Sequence, residues 1–245
     1  MGSMATRDVR AVILAGGRGT RLRPLTTVFP KPLVPLGDKP VIEILLRRLA
    51  NLGFRDVTLC TGYLHELVMA VCGDGSRWGL NISYSHEEGV LGTAAPLASV
   101  EGLTDPFIVM NGDLLTTLNF AHLLDDHVRT GADLTIGVFR REVKIDLGVV
   151  ESDAEGRFRD YREKPSYQFE VSMGVNVLSR RVMSHVEPGK YLDMPDLVLR
   201  VHRAGGTVRC YREDCFWLDI GRMDDYALAQ EQFEKNASMF LGEPA

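Results

Sequence analysis

A stretch rich in glycine and arginine near the start of the chain has residue types that suit the binding of a polyanion. Six such residues fall within eight positions: Gly16, Gly17, Arg18, Gly19, Arg21 and Arg23. Glycines let a backbone approach an anion closely with its N–H groups turned toward it, and the arginines add positive charge. We therefore predict that this loop binds the phosphates of a nucleoside triphosphate rather than forming a plain turn.

Two better-known phosphate-binding loops do not match this sequence. A Walker A loop needs Ser or Thr after its Gly-Lys pair, but Gly189 and Lys190 are followed by Tyr191. A dinucleotide-binding fingerprint needs a third glycine where Leu22 stands. The loop therefore belongs to a different class of phosphate site.

A lysine held between two prolines follows the loop. Pro30 and Pro32 restrict the backbone around Lys31, which reduces the entropy lost in aiming the ammonium group. Taken alone, this motif is common in surface turns. Its position ten residues after Arg21 predicts that Lys31 is a second cation at the phosphate chain.

Two aspartates end apolar runs that are typical of strands. Asp113 follows the run 107–110, and Asp219 closes the run 216–218. Because open α/β sheets bind ligands at the carboxyl ends of their strands, we expect both side chains near a binding site. Together they can supply two oxygen ligands to one Mg²⁺, with water and phosphates completing the octahedron. The alternative for each aspartate is the capping of a turn or helix.

Composition argues against several classes of protein. The 245 residues carry a net charge of −5, which argues against a general nucleic-acid binder. Residues 1–40 nevertheless hold seven basic and two acidic residues, and this net charge of +5 indicates a local anion site. No apolar run approaches the ~20 residues that span a bilayer, and no signal segment is evident, so we expect no membrane contact and a cytoplasmic location. The four cysteines form no CxxC pair, which leaves a zinc ribbon without support.

The elements that must position these residues alternate in the first half of the chain. We predict strands at 9–14, 56–61, 81–85, 107–110 and 133–139, and helices at 40–52, 64–71 and 120–129. This order indicates βαβ units on a parallel sheet. Strands at 148–151, 157–162 and 171–178 then predict a mixed extension, followed by a helix capped by Asp193 and a final helix at 222–237. We expect one α/β domain over 8–245, with residues 1–7 as a tag remnant or disordered segment.

Residues 16–26, together with Pro30, Lys31 and Pro32, resemble the signature of the sugar-1-phosphate nucleotidyltransferases. The similarity continues at intervals to Tyr226. It implies a Rossmann-like, mainly parallel mixed sheet flanked by helices, the nucleotide-diphospho-sugar transferase fold, with a small mixed sugar-binding extension. It also implies conversion of a nucleoside triphosphate and a sugar 1-phosphate to a nucleotide sugar and pyrophosphate.

The resemblance implies roles for individual residues. Those matching the nucleotide site are Leu14, Ala15, Gly16, Gly17, Gly19, Thr20, Arg21, Glu88, Gly92, Thr93, Asn111 and Gly112. Those at the sugar site are Gly148, Glu163, Lys164, Ser172 and Asn176. Asp113 and Asp219 match the Mg²⁺ ligands. For catalysis, Arg21 is expected to stabilise the leaving pyrophosphate, Lys31 the α-phosphate and Lys164 the attacking phosphate.

The choice of substrates is less sharply indicated. Residues 73–79 and 193–197 most resemble the guanylyl-transferring branch, so GTP is expected, with UTP, CTP or dTTP as alternatives. Residues 95, 147, 172 and 176 depart from the family pattern, and three of them lie in segments associated with the sugar. Among hexose, heptose and cyclitol phosphates, we therefore hypothesise an unusual acceptor, such as a heptose or cyclitol phosphate rather than plain mannose or glucose phosphate, with tolerated family drift as the alternative.

Other functions and assemblies remain as alternatives. A regulatory subunit that binds nucleotide sugars without catalysis would be expected to have lost some of Arg21, Lys31, Asp113 or Asp219, and all four are present. A glycosyltransferase is disfavoured because no two aspartates stand two residues apart. A homodimer is left open. The length after Asp219 leads us to expect no C-terminal left-handed β-helix.

Overall fold

The computed structural model describes residues 6–86, 89 and 91–242. In this part of the chain there are 13 strands: β1 Ala11–Ala15, β2 Pro35–Leu36, β3 Lys39–Pro40, β4 Asp56–Thr61, β5 Asn81–His86, β6 Phe107–Asn111, β7 Leu114–Thr116, β8 Leu134–Lys144, β9 Val149–Ser152, β10 Phe158–Arg162, β11 Ser166–Leu178, β12 Val208–Tyr211 and β13 Trp217–Asp219. The α-helices are α1 Val41–Asn51, α2 His65–Cys72, α3 Phe120–Thr130, α4 Met194–Arg203 and α5 Met223–Leu241.

Seven strands form the central sheet in the order β12-β8-β11-β6-β1-β4-β5. Strands β5, β4, β1 and β6 run parallel, while β11 runs antiparallel to both β6 and β8, and β12 is parallel to β8. This is the mixed, mainly parallel α/β sheet that the family resemblance implies, and its parallel strands β1, β4, β5 and β6 come from the predicted βαβ half of the chain. The fold class is therefore confirmed.

Apolar residues cover both faces of the sheet. Along β1, Ile13 points into a cluster with α1 and α3, and Val12 points into a second cluster with α4, as the twofold alternation of a strand requires. A third cluster joins α5 to α1 through buried side chains such as Phe233 and Ile44. None of the helices in the described ranges is both long enough and apolar enough to span a bilayer.

The side chain at the N-cap position bonds the first turn of its helix in α3 but not in α4. The Asn119 side chain caps α3 by accepting hydrogen bonds from Ala121 N and His122 N, at 3.0 and 3.3 Å. Asp193 occupies the N-cap position of α4, yet its side chain makes no capping hydrogen bond. The predicted role of Asp193 as a side-chain cap is therefore wrong, because this carboxylate bonds a distant segment instead.

Strand pairing brings the two predicted carboxylates together. Strands β1 and β6 are parallel neighbours, so the glycine loop after Ala15 and the turn after Asn111 lie at one edge of the sheet. Strand β13 pairs with β7 and places Asp219 opposite Leu114. Ile220 N also donates to Asp113 O at 3.0 Å. The fold therefore positions Asp113 and Asp219 side by side from segments about 100 residues apart in sequence.

Candidate active site

Two neighbouring cavities lie at this edge of the sheet. The glycine-loop cavity has a volume of about 380 Å³ and is lined by residues of the loop, of the turn after β6 and of segments 89–93 and 191–193. The α4 cavity, of about 450 Å³, lies between strands β6, β8 and β11 and the first turns of α4. The two cavities share Leu14, Thr93 and Asn111, so a ligand in one would be next to a ligand in the other.

Close backbone contacts shape the glycine loop. A Cβ atom on Gly112 would lie 3.0 Å from Leu14 O, and one on Gly62 would lie 2.9 Å from Gly16 O. Gly19 has a φ of +58°, and its carbonyl accepts a hydrogen bond of 2.7 Å from the Thr26 hydroxyl. These positions therefore need glycine because the neighbouring backbone is near or because φ is positive.

Most of the predicted nucleotide-site residues surround the glycine-loop cavity. They are Leu14, Ala15, Gly16, Gly17, Arg21, Gly92, Thr93, Asn111 and Gly112, together with Lys31 and Asp113. Gly19 and Thr20 do not contribute to its described lining, since Gly19 packs against Thr26 and Lys31 instead. Glu88 lies outside the described residues.

A charged cluster lies at this cavity: Lys31 and Asp113 line it, whereas the neighbouring Asp219 lines neither cavity. Lys31 Nζ forms an ion pair with Asp113 Oδ2, and the two side chains are only 14% and 16% exposed. Burial raises the pKa of the Asp219 carboxyl, the charge of Asp113 raises it further, and Lys31 and Arg21 oppose the rise. Two carboxylates and two cations therefore interact here, with the Lys31–Asp113 pair largely buried and Arg21 exposed.

The carboxylates fit a divalent cation. Asp113 Oδ1 is buried and has no hydrogen-bond partner in the described residues, so it is a free anionic oxygen in a place where such an atom is costly. The described residues contain no group of three or more side chains arranged to hold a metal ion. A hard cation at Asp113 and Asp219 would therefore take its other ligands from water or from a substrate, as Mg²⁺ commonly does.

The α4 cavity has a polar side and an apolar side. Asn111, Ser172 and Asn176 supply polar groups from β6 and β11, and Asn176 is only 4% exposed. The opposite side is formed by Met194, Pro195, Val198 and Leu199 from α4. Two of the predicted sugar-site residues, Ser172 and Asn176, are therefore together in a cavity beside the glycine loop.

The other predicted sugar-site residues flank β9 and β10, which form a separate two-stranded sheet that we call the exposed arm. Gly148, Glu163 and Lys164 line neither cavity. A Cβ on Gly148 would collide with the hydroxyl of Tyr161, which donates to Glu163 Oε2 at 3.1 Å. Lys164 has a positive φ of 44°, an uncommon conformation for lysine. Gly148, Glu163 and Lys164 therefore lie at the exposed arm, whereas Ser172 and Asn176 line the α4 cavity.

Sequence reasoning missed several residues of the two cavities. Tyr191 and Asp193 line the glycine-loop cavity, and Met194 and Leu199 line the α4 cavity. Their segment stood out in sequence as a helix start and for the resemblance of residues 193–197 to the guanylyl-transferring branch, but no local pattern signals its contact with residues 91–95. Cys60 was detectable in principle, because it is near the carboxyl end of β4, where ligands bind in such sheets.

Comparison with known proteins identifies relatives of this chain. The family model described as nucleotidyl transferase matches residues 10–236. The mannose-1-phosphate guanylyltransferase of Mycobacterium tuberculosis is 37% identical over 231 residues, covering 91% of this chain and 64% of that protein. The UTP--glucose-1-phosphate uridylyltransferase of Synechocystis sp. is 31% identical over 238 residues, covering 89% and 61% respectively. The chain thus spans somewhat over six tenths of the length of these two relatives.

A solved structure shares the fold. HddC from Yersinia pseudotuberculosis, complexed with GMP-PN, superposes with a TM-score of 0.71 over 92% of this chain and 99% of that chain, at 23% identity. The family match includes the glycine loop, Lys31, Asp113 and Asp219 and extends almost to the end of α5. The chain belongs to the nucleotidyl transferase family.

Proposed function

We propose that the protein transfers a nucleotidyl group from a nucleoside triphosphate to a sugar 1-phosphate, releasing pyrophosphate. The observation that carries this proposal is the charged cluster in which Lys31 and Asp113 line the glycine-loop cavity and Asp219 adjoins Asp113, with a second cavity directly beside the first. Two adjoining cavities suit a reaction between two bound substrates. The cations and the free carboxylate oxygen suit substrates that both carry phosphate.

The proposed chemistry needs charge neutralisation more than proton transfer. An oxygen of the sugar phosphate is already ionised at neutral pH, so it attacks the α-phosphorus in line without a general base. The two polyanions repel each other, and catalysis consists mainly of holding them together and offsetting their charge. In this scheme the loop backbone and Arg21 hold the leaving pyrophosphate, and Lys31 neutralises charge near the α-phosphate.

Asp113 and Asp219 are the proposed ligands of Mg²⁺. The cation, when bound, would supply Lewis-acid polarisation of the α-phosphate. The buried, unpartnered Oδ1 of Asp113 supports this role, because a cation would satisfy it. Lys31 holds the other carboxylate oxygen of Asp113 and so fixes the orientation of that side chain.

For the acceptor we propose the α4 cavity as the site of the sugar ring. Ser172 and Asn176 would bond its hydroxyls from β11. Gly148, Glu163 and Lys164 would approach from the exposed arm, with Lys164 holding the attacking phosphate. The proposed acceptors are hexose, heptose or cyclitol 1-phosphates.

GTP is the proposed donor. The support comes from the guanylyltransferase relative at 37% identity, and UTP is the first alternative because a uridylyltransferase matches at 31%. CTP and dTTP are further alternatives. Base contacts are assigned to Glu88, Gly92 and Thr93.

A substrate matrix tests the proposed function. Each of GTP, UTP, CTP, dTTP and ATP is incubated with mannose, glucose, heptose and cyclitol phosphates in Mg²⁺ or EDTA, and pyrophosphate release is measured. We expect Mg²⁺-dependent release that needs both an NTP and a sugar phosphate, with GTP fastest. Binding of GTP without release from any pair would overturn the enzymatic proposal and favour a non-catalytic regulatory subunit.

A further inference from the structure

The Asp193 carboxylate bonds a segment 100 residues earlier in the chain. Asp193 Oδ1 accepts hydrogen bonds from Thr93 N at 3.0 Å and from the Thr93 hydroxyl at 3.2 Å. In return, the Thr93 oxygen accepts from Met194 N at 2.8 Å. In many helices, a side chain at the start of the helix accepts from an N–H of the first turn. Here the Thr93 side chain accepts from an N–H of α4, and the Asp193 side chain accepts from the N–H of Thr93.

Backbone hydrogen bonds reinforce the same contact. Leu192 O accepts from Ala94 N at 2.9 Å and from Ala95 N at 3.1 Å, and Leu192 N donates to Leu91 O at 2.9 Å. Gly92 has a φ of +92°, and a Cβ there would lie 2.5 Å from Leu192 O. We name residues 91–95 and 191–194, joined in this way, the Thr93–Asp193 clamp.

The clamp lies where the two cavities meet. Thr93 lines both of them, Tyr191 and Asp193 line the glycine-loop cavity, and Met194 lines the α4 cavity. The Tyr191 hydroxyl also donates to the second carboxylate oxygen of Asp193, so both oxygens are fixed. The clamp, together with Leu14 and Asn111, therefore forms the partition between the two cavities, and the Asp193 carboxylate joins the two segments of the clamp through its Oδ1 atom.

We propose that Asp193 is a positioning residue that acts through Thr93 to fix this partition and thereby the placement of the acceptor relative to the nucleotide. The consequence for turnover rests on the proposed function. An error of about 1 Å in the relative position of two reactants costs up to about 100-fold in rate, so a loosened partition should affect turnover more than it affects binding of either substrate.

Three variants test the role of Asp193. Asp193→Ala removes both acceptor oxygens, Asp193→Asn keeps one oxygen for Thr93, and Asp196→Ala changes an exposed carboxylate in the same helical turn. We expect kcat to fall about 10- to 100-fold in Asp193→Ala, with a smaller change in KM for GTP because Thr93 is also a proposed base contact. Asp193→Asn should restore most of kcat, and Asp196→Ala should match the wild type.

Hydrogen exchange at the Thr93 amide gives a readout that needs no substrate. In the wild type this amide should be protected, in Asp193→Ala its exchange should quicken at least tenfold, and in Asp193→Asn protection should largely return. If Asp193→Ala is poorly folded, Thr93→Val tests the clamp through its other segment. This variant removes the hydroxyl that accepts from Met194 N, so exchange at the Met194 amide should quicken.

The outcomes separate this inference from the proposed function. If no NTP and sugar phosphate pair releases pyrophosphate, the proposed function fails, while the exchange data still decide whether the clamp exists. Wild-type kcat in Asp193→Ala, or a lower Tm with unchanged kcat in the folded fraction, would show a merely structural role and overturn the inference. Unchanged protection at Thr93 in that variant would overturn it as well.

Discussion

At the residue scale, Asp113 combines two features that seldom occur together. One of its oxygens is paired with Lys31, and the other is buried with no partner among the residues that the structure describes. A carboxylate kept in this state costs stability unless something else satisfies it. Its location between Lys31 and Asp219, in the cavity formed by the glycine loop, makes it the residue on which the proposed reaction depends most.

Asp113→Ala tests that dependence. We expect Mg²⁺-dependent pyrophosphate release to fall by about 100- to 1,000-fold, because one charge-stabilising group at the reacting phosphates is lost. The measurement is steady-state turnover across a Mg²⁺ titration. Asp38→Ala is the matched control, since Asp38 is 81% exposed and pairs only with Lys39 next to it. Near-normal turnover of Asp113→Ala in Mg²⁺ would refute the metal assignment.

Sequence reasoning found the charged residues of the site but not their pairing. Asp113 and Asp219 were recognisable because each ends an apolar run, and Lys31 because two prolines flank it. The ion pair between Lys31 and Asp113 could not be read from the sequence, since it depends on the packing of residues 31–33 against the turn after β6. Gly148 and Lys164 match the family pattern, yet neither of them lines a cavity. A local motif does not tell how far the segment that carries it lies from a cavity.

At the element scale, several of the short strands were predictable, whereas the full lengths of the two long antiparallel strands were not. The predicted strand 56–61 coincides with β4, whose buried apolar residues make it unambiguous. Strands β8 and β11 extend well beyond the predicted 133–139 and 171–178, to Lys144 and back to Ser166. Their outer halves are exposed and pair mainly with each other, so burial gives them no hydrophobic signature.

The apolar side of the α4 cavity predicts selective effects on the acceptor. Leu199→Ala shortens a side chain that lines only this cavity, and we expect the loss of about 1 kcal/mol of contact with a bound sugar. That corresponds to about a fivefold rise in KM for the sugar phosphate, with KM for the NTP unchanged. Leu228→Ala on α5 is the matched control, because Leu228 is 43% exposed against 44% for Leu199. An equal rise in both KM values would contradict this division between the cavities.

Helix α3 depends on its cap in a way that can be measured separately from activity. The Asn119 side chain satisfies two N–H groups of the first turn, so Asn119→Ala should lower the free energy of unfolding by about 1 kcal/mol. Urea unfolding measures this change. Asn119→Asp keeps an acceptor oxygen at the same place and should stay close to the wild type. A similar loss in both variants would show that the cap is not the cause.

At the scale of the whole molecule, the basic start of the chain is only partly an anion site. Of its seven basic residues, the structure places Arg21 and Lys31 in the described lining of the glycine-loop cavity. Arg10 instead lies at the opposite end of β1, where it donates to Gly102 O at 2.9 Å. Lys39 pairs with Asp38. The charge count therefore indicated the right region, but strand direction decides which charges reach the site.

The interior of the molecule also contains a buried histidine that no sequence pattern singled out. His127 on α3 is 2% exposed and bonds Thr135 and Ser179 through its two ring nitrogens, at 2.9 and 3.1 Å. Because the Ser179 hydroxyl donates to Ala132 O, it accepts from His127 Nε2, and Nδ1 accepts from Thr135. Burial, together with the nearby charge of Arg181, lowers the pKa of His127 from 6.5 to about 4, against the opposing effect of Asp105, Asp133 and Asp126.

This lowered pKa predicts how the stability of the fold depends on pH. Between pH 6.5 and about 4 the unfolded chain binds a proton at His127 that the folded protein does not, so acidification favours unfolding. The free energy of unfolding should fall by up to about 3 kcal/mol from this group alone as pH drops through that window. Urea unfolding at several pH values measures the fall.

Two histidine variants test the cause. His127→Gln should be less stable at pH 7, but its free energy of unfolding should change less between pH 6.5 and 4. His122→Gln, at an exposed histidine of the same helix, should keep the wild-type slope. Equal slopes for the wild type and His127→Gln would show that this buried imidazole does not control the acid stability of the molecule.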